Sequence, residues 1–149
     1  MSRIAVVGDA ALDVLARAGT LPAPGGDVRA SIAIRPGGAG ANTAAWLAAL
    51  GADPVLIARI GADTAGEQVR GHLAAAGVGT ALVTDHVAPT ATVVVLVDGA
   101  GQRAMLADRG AAGRLAPADI AVPAGARHLH LSGYVLLDRS SRAAGRAAL

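Results

Sequence analysis

The chain predicts an α/β fold in which a mainly parallel sheet is flanked by helices. Hydrophobic residues make up 53% of its 149 residues, yet Phe is absent and Trp46 and Tyr134 are the sole aromatics of their kinds. A core of Ala, Val, Leu and Ile suits layered sheet and helix. Short apolar runs closed by glycine also alternate with Ala-rich helical stretches, the order that builds parallel strands through right-handed crossovers. At this length one domain with a substantial core is expected.

The elements follow in order. Residues 3–8 (RIAVVG) predict a buried strand ending at Gly8. After a Pro/Gly loop at 19–27, residues 28–35 (VRASIAIR) alternate as a half-exposed strand does. A glycine run leads into a helix over about 40–50 that Gly51 closes, and 54–61 (PVLIARIG) predict another buried strand. Asp63 is a suitable N-cap for the next helix, which Gly77 stops. TALVTD, TATVVVLVD and QRAMLAD then predict strands joined by a hairpin with an Asp98-Gly99 turn. Residues 127–133 (RHLHLSG) predict a last buried strand, and Asp138 a cap for a closing helix.

Composition excludes several classes of function. All 13 basic residues are arginine, so Schiff-base chemistry and a Walker-type lysine have no residue to use. A net charge of +2, with arginines spread along the chain and few aromatics, does not predict a nucleic-acid partner. Cysteine is absent, which removes disulfides and thiolate metal sites. The opening MSRIAVVGDA carries too short an apolar run for a signal peptide or membrane span, and the expectation is a soluble cytoplasmic protein. His128 and His130 alternate with leucines and lack a third metal ligand at suitable spacing, so no metal site is predicted.

The run RPGGAGANTAAWLAALG (35–51) holds the strongest signal. Glycine is favoured where φ is positive or where something approaches the main chain. A dinucleotide fingerprint is one account, but Thr43 stands where its third glycine belongs and Pro36 interrupts the turn. A tight strand-to-helix turn is a second. The third comes from spacing. Gly37-Gly38, Gly40, Asn42 and Ala44 are followed after six residues by Gly51 and after nine more by Gly61. This pattern resembles the first signature of the ribokinase-like (PfkB) carbohydrate kinases. The stretches VVGDAALDVLARAGTLPAPGGDV, IGADTAGEQVRGHLAAAGV and TATVVVLVDGAGQRAMLADRGA resemble that family's other segments, in order and over nearly the whole chain. Asp27 departs from the family's usual Glu.

The resemblance implies a ribokinase-like fold in which strands at about 28–35 and 90–107 form a small β lid, often paired with a second subunit's lid in a homodimer. It implies a sugar or sugar-acid substrate, with Asp13 accepting hydrogen bonds from two hydroxyls and Gly37, Gly38 and Asn42 forming a second wall. A sugar, and not a phosphate, is then expected against the glycine run. Asp13 also fits as a cap of a helical turn after it, and Asn42 as a helix-start residue. Asp9, Arg109 and Ser132 are further candidates, with Tyr134 near the last strand's end. Asp9 fits equally as a partner of loop amides, and Arg109 as a solvated surface group. As a ligand residue, Arg109 favours an acidic or phosphorylated sugar; ribose, fructose, a sugar acid and a nucleoside all suit Asp13 and Asn42.

Kinases of this family transfer a phosphoryl group from ATP, with Mg2+, to a sugar hydroxyl. Their second signature, a DTxGAGD-like run with the catalytic base, does not occur in this sequence. The expectation is therefore the N-terminal, sugar-binding portion of such a kinase, residues 1–149. It carries no catalytic residue, no bound nucleotide and no activity by itself. A non-catalytic sugar-binding or interaction module is the alternative.

Overall fold

A computed structural model describes residues 2–149. Strands β1 (Arg3–Val7), β4 (Asp53–Gly61), β5 (Gly79–Asp85) and β8 (Ala126–Leu131) form one sheet, ordered β5-β4-β1-β8 and parallel throughout. Alternation along the strands sends Val6, Leu56, Ala58 and Ile60 to one face. There they meet Ala41 and Ala44 of α1 (Ala39–Ala49) and Val69 and Leu73 of α2 (Thr64–Ala75). Ala5, Val7 and Ile57 point to the other face, against Val135 of α3 (Gly133–Leu137) and Ala144 of α4 (Arg142–Ala147). Both faces are covered, which is why β1 and β4 read as continuous apolar runs. Asp63 caps α2 by accepting from the Gly66 amide at 2.8 Å, and Gly51 and Gly77 follow α1 and α2 at φ 83° and 72°.

A second sheet stands apart from the first. It comprises β2 (Ala11–Ala18), β3 (Ala30–Gly37), β6 (Ala91–Val97) and β7 (Arg103–Asp108), ordered β3-β2-β6-β7. β2 pairs antiparallel with β3 and parallel with β6, and β6 with β7 forms the antiparallel hairpin across Asp98-Gly99. Pro36 falls inside β3, tolerated because β3 is an edge strand.

Several expectations are corrected. Residues 11–18 form a strand that was not expected; Asp13 and Arg17 mask its alternation, and Asp13 caps no helical turn. β3 begins at Ala30, two residues later than expected, and runs on through Gly37. β5 joins the parallel sheet, because its partner is β4 rather than β6. β8 is a sheet edge, with Arg127, His128 and His130 exposed, and not a buried strand. The closing helix is two short ones, and Asp138 turns its Oδ1 to the Ser140 amide and hydroxyl instead of capping α4.

The chain crosses between the sheets four times, and the crossings are held in pairs. In one pair, β1 to β2 passes against β3 to α1. A Cβ on Gly40 would lie 2.7 Å from the Gly8 Cα and 3.0 Å from the Asp9 amide nitrogen. Gly38, at φ 92°, would bring a Cβ to 2.6 Å from the Asp9 carbonyl oxygen. In the other pair, β5 to β6 passes against β7 to β8: the Ala111 amide donates to the Pro89 carbonyl at 2.7 Å, and a Cβ on Gly110 would overlap that oxygen. From the start of α2, the Asp63 carboxylate anchors the first of these crossings by accepting from the Thr90 amide (2.8 Å) and hydroxyl (2.6 Å), and Thr90 Oγ1 accepts from the Gly61 amide at 2.9 Å. Burial opposes ionisation of Asp63, but these bonds outweigh it and hold its carboxyl below the usual range.

The loop after β5 has its own anchor. Buried Asp85 accepts from the Val87 and Ala88 amides at 2.9 Å each, while its Oδ2 lies 3.0 Å from Arg59 Nε and 2.8 Å from Arg114 Nε. Arg59 continues to Asp119 at 2.9 Å. The two amides, then the guanidinium groups, push the Asp85 carboxyl far below the carboxylate range despite its burial.

Two outcomes are expected. Gly40→Ala forces backbone apart at a crossing where neither side yields a flexible group, and should lower unfolding free energy by about 1–3 kcal/mol in a urea titration. An unchanged midpoint would show that the crossing relaxes freely. Because Asp85 and Asp63 have lower folded than unfolded pKa values, the folded state binds fewer protons, so their stabilisation is lost as pH falls through the folded values. The urea midpoint should stay level near neutrality and fall below about pH 4, the unfolded carboxyl range, with Asp85→Asn and wild-type curves converging in acid. Parallel curves down to pH 2–3 (roughly, the acid limit of such titrations) would contradict this assignment.

Candidate functional site

A cavity of about 300 Å³ opens where the two sheets diverge. Its floor is one face of the second sheet. Ala11 and Asp13 of β2 point the same way, their partners on β6 are Ala91 and Val93, and Ala107 of β7 pairs with Val93. Period-two alternation thus gives one carboxylate on an otherwise apolar floor. Gly38 and Asn42, at the start of α1, form a wall, and Tyr134 of α3 stands at the side, 58% exposed.

Asp9 and Asp13 share the cavity; Arg35 is the cross-strand partner of Asp13, but neither carboxylate forms an ion pair among the described residues. Burial first, and then the neighbouring Asp9 charge, raise the Asp13 carboxyl above its ordinary value. Asp9 has a structural task as well. Its backbone oxygen accepts from the Ala41 amide at 3.0 Å, and its Oδ1 lies 3.4 Å from the Gly40 amide nitrogen. It therefore serves loop amides and lines the cavity at once.

The structure brings together Asp9, Asp13, Gly38, Asn42 and Arg109, and leaves out two predicted residues. Gly37 lies directly against the Asp13 carboxylate, where any side chain would overlap it, and borders a separate cleft of about 70 Å³. Ser132 is buried beneath Gly8, its hydroxyl without a hydrogen-bond partner. What crowds the glycines is thus the chain itself: Asp13 at Gly37, the 9–10 backbone at Gly38, and Gly8 at Gly40. The dinucleotide account also loses its premise, because the strand before the glycines belongs to the second sheet and not to the parallel one.

Arg109 lies just after β7. Its Nε is 3.0 Å from Asp138 Oδ2, but off the N–H direction, so the contact is ionic without being a hydrogen bond. Nε and Nη2 are buried with no hydrogen-bond partner. Sequence reasoning missed Asp138 as the counter-ion of Arg109, and missed the apolar floor. The floor's signal was the alternation of β2, legible only once its pairing with β6 is known.

No group of three metal-ligating side chains occurs among the described residues, and the first amides of α1 are turned toward Asp9. No described helix is long and apolar enough to cross a membrane.

Comparison with known proteins gives a consistent result. The model of the pfkB family carbohydrate kinases matches residues 1–149. Among solved structures, a sugar kinase from Pyrococcus horikoshii is similar at TM-score 0.84 and 28% identity, covering 99% of this chain and 48% of its own. A fructokinase from Vibrio cholerae O395 gives TM-score 0.78 and 30% identity, with coverage of 99% and 48%. A ribokinase from Arabidopsis thaliana, solved with ribose and ATP, gives TM-score 0.67 and 29% identity, with coverage of 74% and 37%. The chain spans about half or less of the length of these structures. No curated protein matches significantly.

Proposed function

The chain belongs to the pfkB family of carbohydrate kinases, and from that premise we propose that its cavity holds a sugar for ATP-dependent phosphorylation of a hydroxyl. The observation that carries this is the grouping of Asp13, Asn42 and Gly38 around a cavity of about 300 Å³ floored by the second sheet. A sugar needs acceptors for several hydroxyls and backbone that comes close. A carboxylate acceptor makes bonds roughly twice as strong as a neutral one, and the Asn42 amide both donates and accepts. Asp13, Asp9, Gly38 and Asn42 are the proposed sugar contacts; Gly37 serves by making room for Asp13. The second sheet acts as the lid over the sugar.

ATP and Mg2+ supply the donor phosphoryl group in this proposal. The chain's own part in it is to bind and orient the sugar. Sugar binding without sugar-dependent ATP consumption would favour the binding-module alternative.

A homodimer through the lid belongs to the same proposal. On the lid face away from the cavity, Ile34, Val14, Val94 and Leu106 line up across all four strands, and Ile32, Ala16, Leu96 and Ala104 form the next row. Ile32, Ile34 and Leu106 are 66%, 55% and 63% exposed. Such an apolar sheet face is an association surface, and a second copy supplies a matching one.

Two measurements test this. Asp13→Asn should weaken sugar binding by roughly ten- to a hundredfold, the loss of hydrogen bonds to a charged group. It should also raise thermal stability, because it removes a carboxylate that burial and Asp9 both disfavour. Weaker stability with unchanged sugar affinity would make Asp13 a structural residue. Sedimentation should show a dimer that Ile34→Asp with Leu106→Asp converts to monomer; a monomeric wild type would remove the lid interface.

A further inference from the structure

We infer that Tyr134 is a specificity-determining contact whose ring lies on the C–H face of the bound sugar, so that the site selects sugars by the face their hydroxyls occupy. The inference rests on the sugar site proposed above and adds a residue to it. Tyr134 is the single tyrosine of the chain and the one aromatic residue among those lining the cavity. At 58% exposed, it keeps more than half of its surface free to meet a ligand.

The ring is presented on a fixed turn. The Ser132 amide donates to the Val7 carbonyl at 2.9 Å, which ties the start of α3 to the end of β1. The Val135 amide donates to the Ser132 carbonyl at 3.0 Å, and the Asp138 amide to the Tyr134 carbonyl at 3.1 Å. Val135 packs in the core with Ala5, Val7 and Ile57. Leu136 lies against α4, where a Cβ on Gly145 would come within 2.7 Å of its Cδ2. Neighbouring residues of a helix point about 100° apart, so the core position of Val135 turns Tyr134 away from the core.

The cavity therefore has apolar surface from two directions. Val93, Met105 and Ala107 come from the second sheet, with Met105 56% exposed. Tyr134 comes from the helix that follows β8 of the parallel sheet. Polar groups are supplied by Asp9, Asp13 and Asn42. A sugar has the same division, with hydroxyls around its rim and C–H groups on its faces. The face of an aromatic ring carries the negative part of its quadrupole and attracts weakly positive C–H hydrogens. A hydroxyl turned toward that face gives up water for a surface with no partner of equal strength. The carboxylates thus choose hydroxyls at the rim, and the ring of Tyr134 rejects a hydroxyl that points across it.

Fructose, psicose and tagatose provide the test, because each epimer differs from fructose in the facing of a single ring hydroxyl. In calorimetric titration the tightest of the three should bind roughly tenfold or more above the weakest. Tyr134→Ala should weaken the tightest by about tenfold and narrow the span to within about threefold, whereas Tyr134→Phe, which keeps the face, should retain both. The sole tyrosine also reports the contact directly. In a Trp46→Phe background, which removes the single tryptophan from a position 72% exposed on α1, saturating sugar should shift the near-ultraviolet absorption of tyrosine. That signal decides the matter if Tyr134→Ala does not fold. Sugar binding that leaves the tyrosine signal unchanged overturns the inference and leaves the sugar site standing. So does equal binding of all three sugars by wild type, or a Tyr134→Ala variant with wild-type affinity and span. Loss of the span in Tyr134→Phe assigns selection to the phenol hydroxyl and overturns stacking. Binding of none of the three sugars overturns the sugar site as well.

Discussion

The structure depends on backbone meeting backbone where the two sheets join. At Gly8 and Gly40 the segments leaving β1 and entering α1 touch with no side chain between them, and Gly38 lies equally close on Asp9. That contact sets the distance between the parallel sheet and the second sheet, and so the depth of the cavity between them. It also explains why Asp9 is built into the joint: its backbone oxygen and carboxylate serve the opening amides of α1. The second pair of crossings reaches the same end by different chemistry. There Asp63 and Thr90 hold the chain through hydrogen bonds, and Gly61 and Gly110 give way to neighbouring backbone.

The site inherits its electrostatics from this joint. Asp9 and Asp13 share one cavity because the segment between β1 and β2 is too short to separate them. The cost is visible in the Asp13 carboxyl, which both burial and the Asp9 charge disfavour in its ionised form. Acceptors placed at such a cost are typical of binding sites, where function is selected against local stability. Elsewhere the pattern reverses: Asp63 and Asp85 are fully served by amides, hydroxyls and guanidinium groups, and their task is to hold loops.

Much of the parallel sheet was legible because its signals are local. The runs at β1 and β4, the Asp63 cap and the glycines after α1 and α2 each depend on a few neighbouring residues. The second sheet was less legible because its pattern is shared among distant segments. β2 reads poorly alone, since Asp13 and Arg17 interrupt the apolar positions; its identity comes from β6, about 80 residues away in register with it. That Asp13, Gly38 and Asn42 line one cavity could be anticipated from the family resemblance. That Gly37 lies against the Asp13 carboxylate, and that Asp138 faces Arg109, follows only from three-dimensional packing.

The pairing of β2 with β6 has a consequence for the order in which the molecule comes into being. β2 and β3 are joined by residues 19–29 and can form a hairpin early, but Ala11 meets Ala91 only after some 80 further residues exist. Contacts so distant in sequence close late, since loop entropy is lost before they give anything back. Until then the β2 edge of that hairpin stays open, a template for strands of other chains. Synthesis from the N-terminus lengthens that interval, because β6 and β7 emerge well after the hairpin. The floor of the cavity thus assembles after the β2–β3 hairpin, and a ligand arriving during synthesis would find no complete site until Tyr134 had been made.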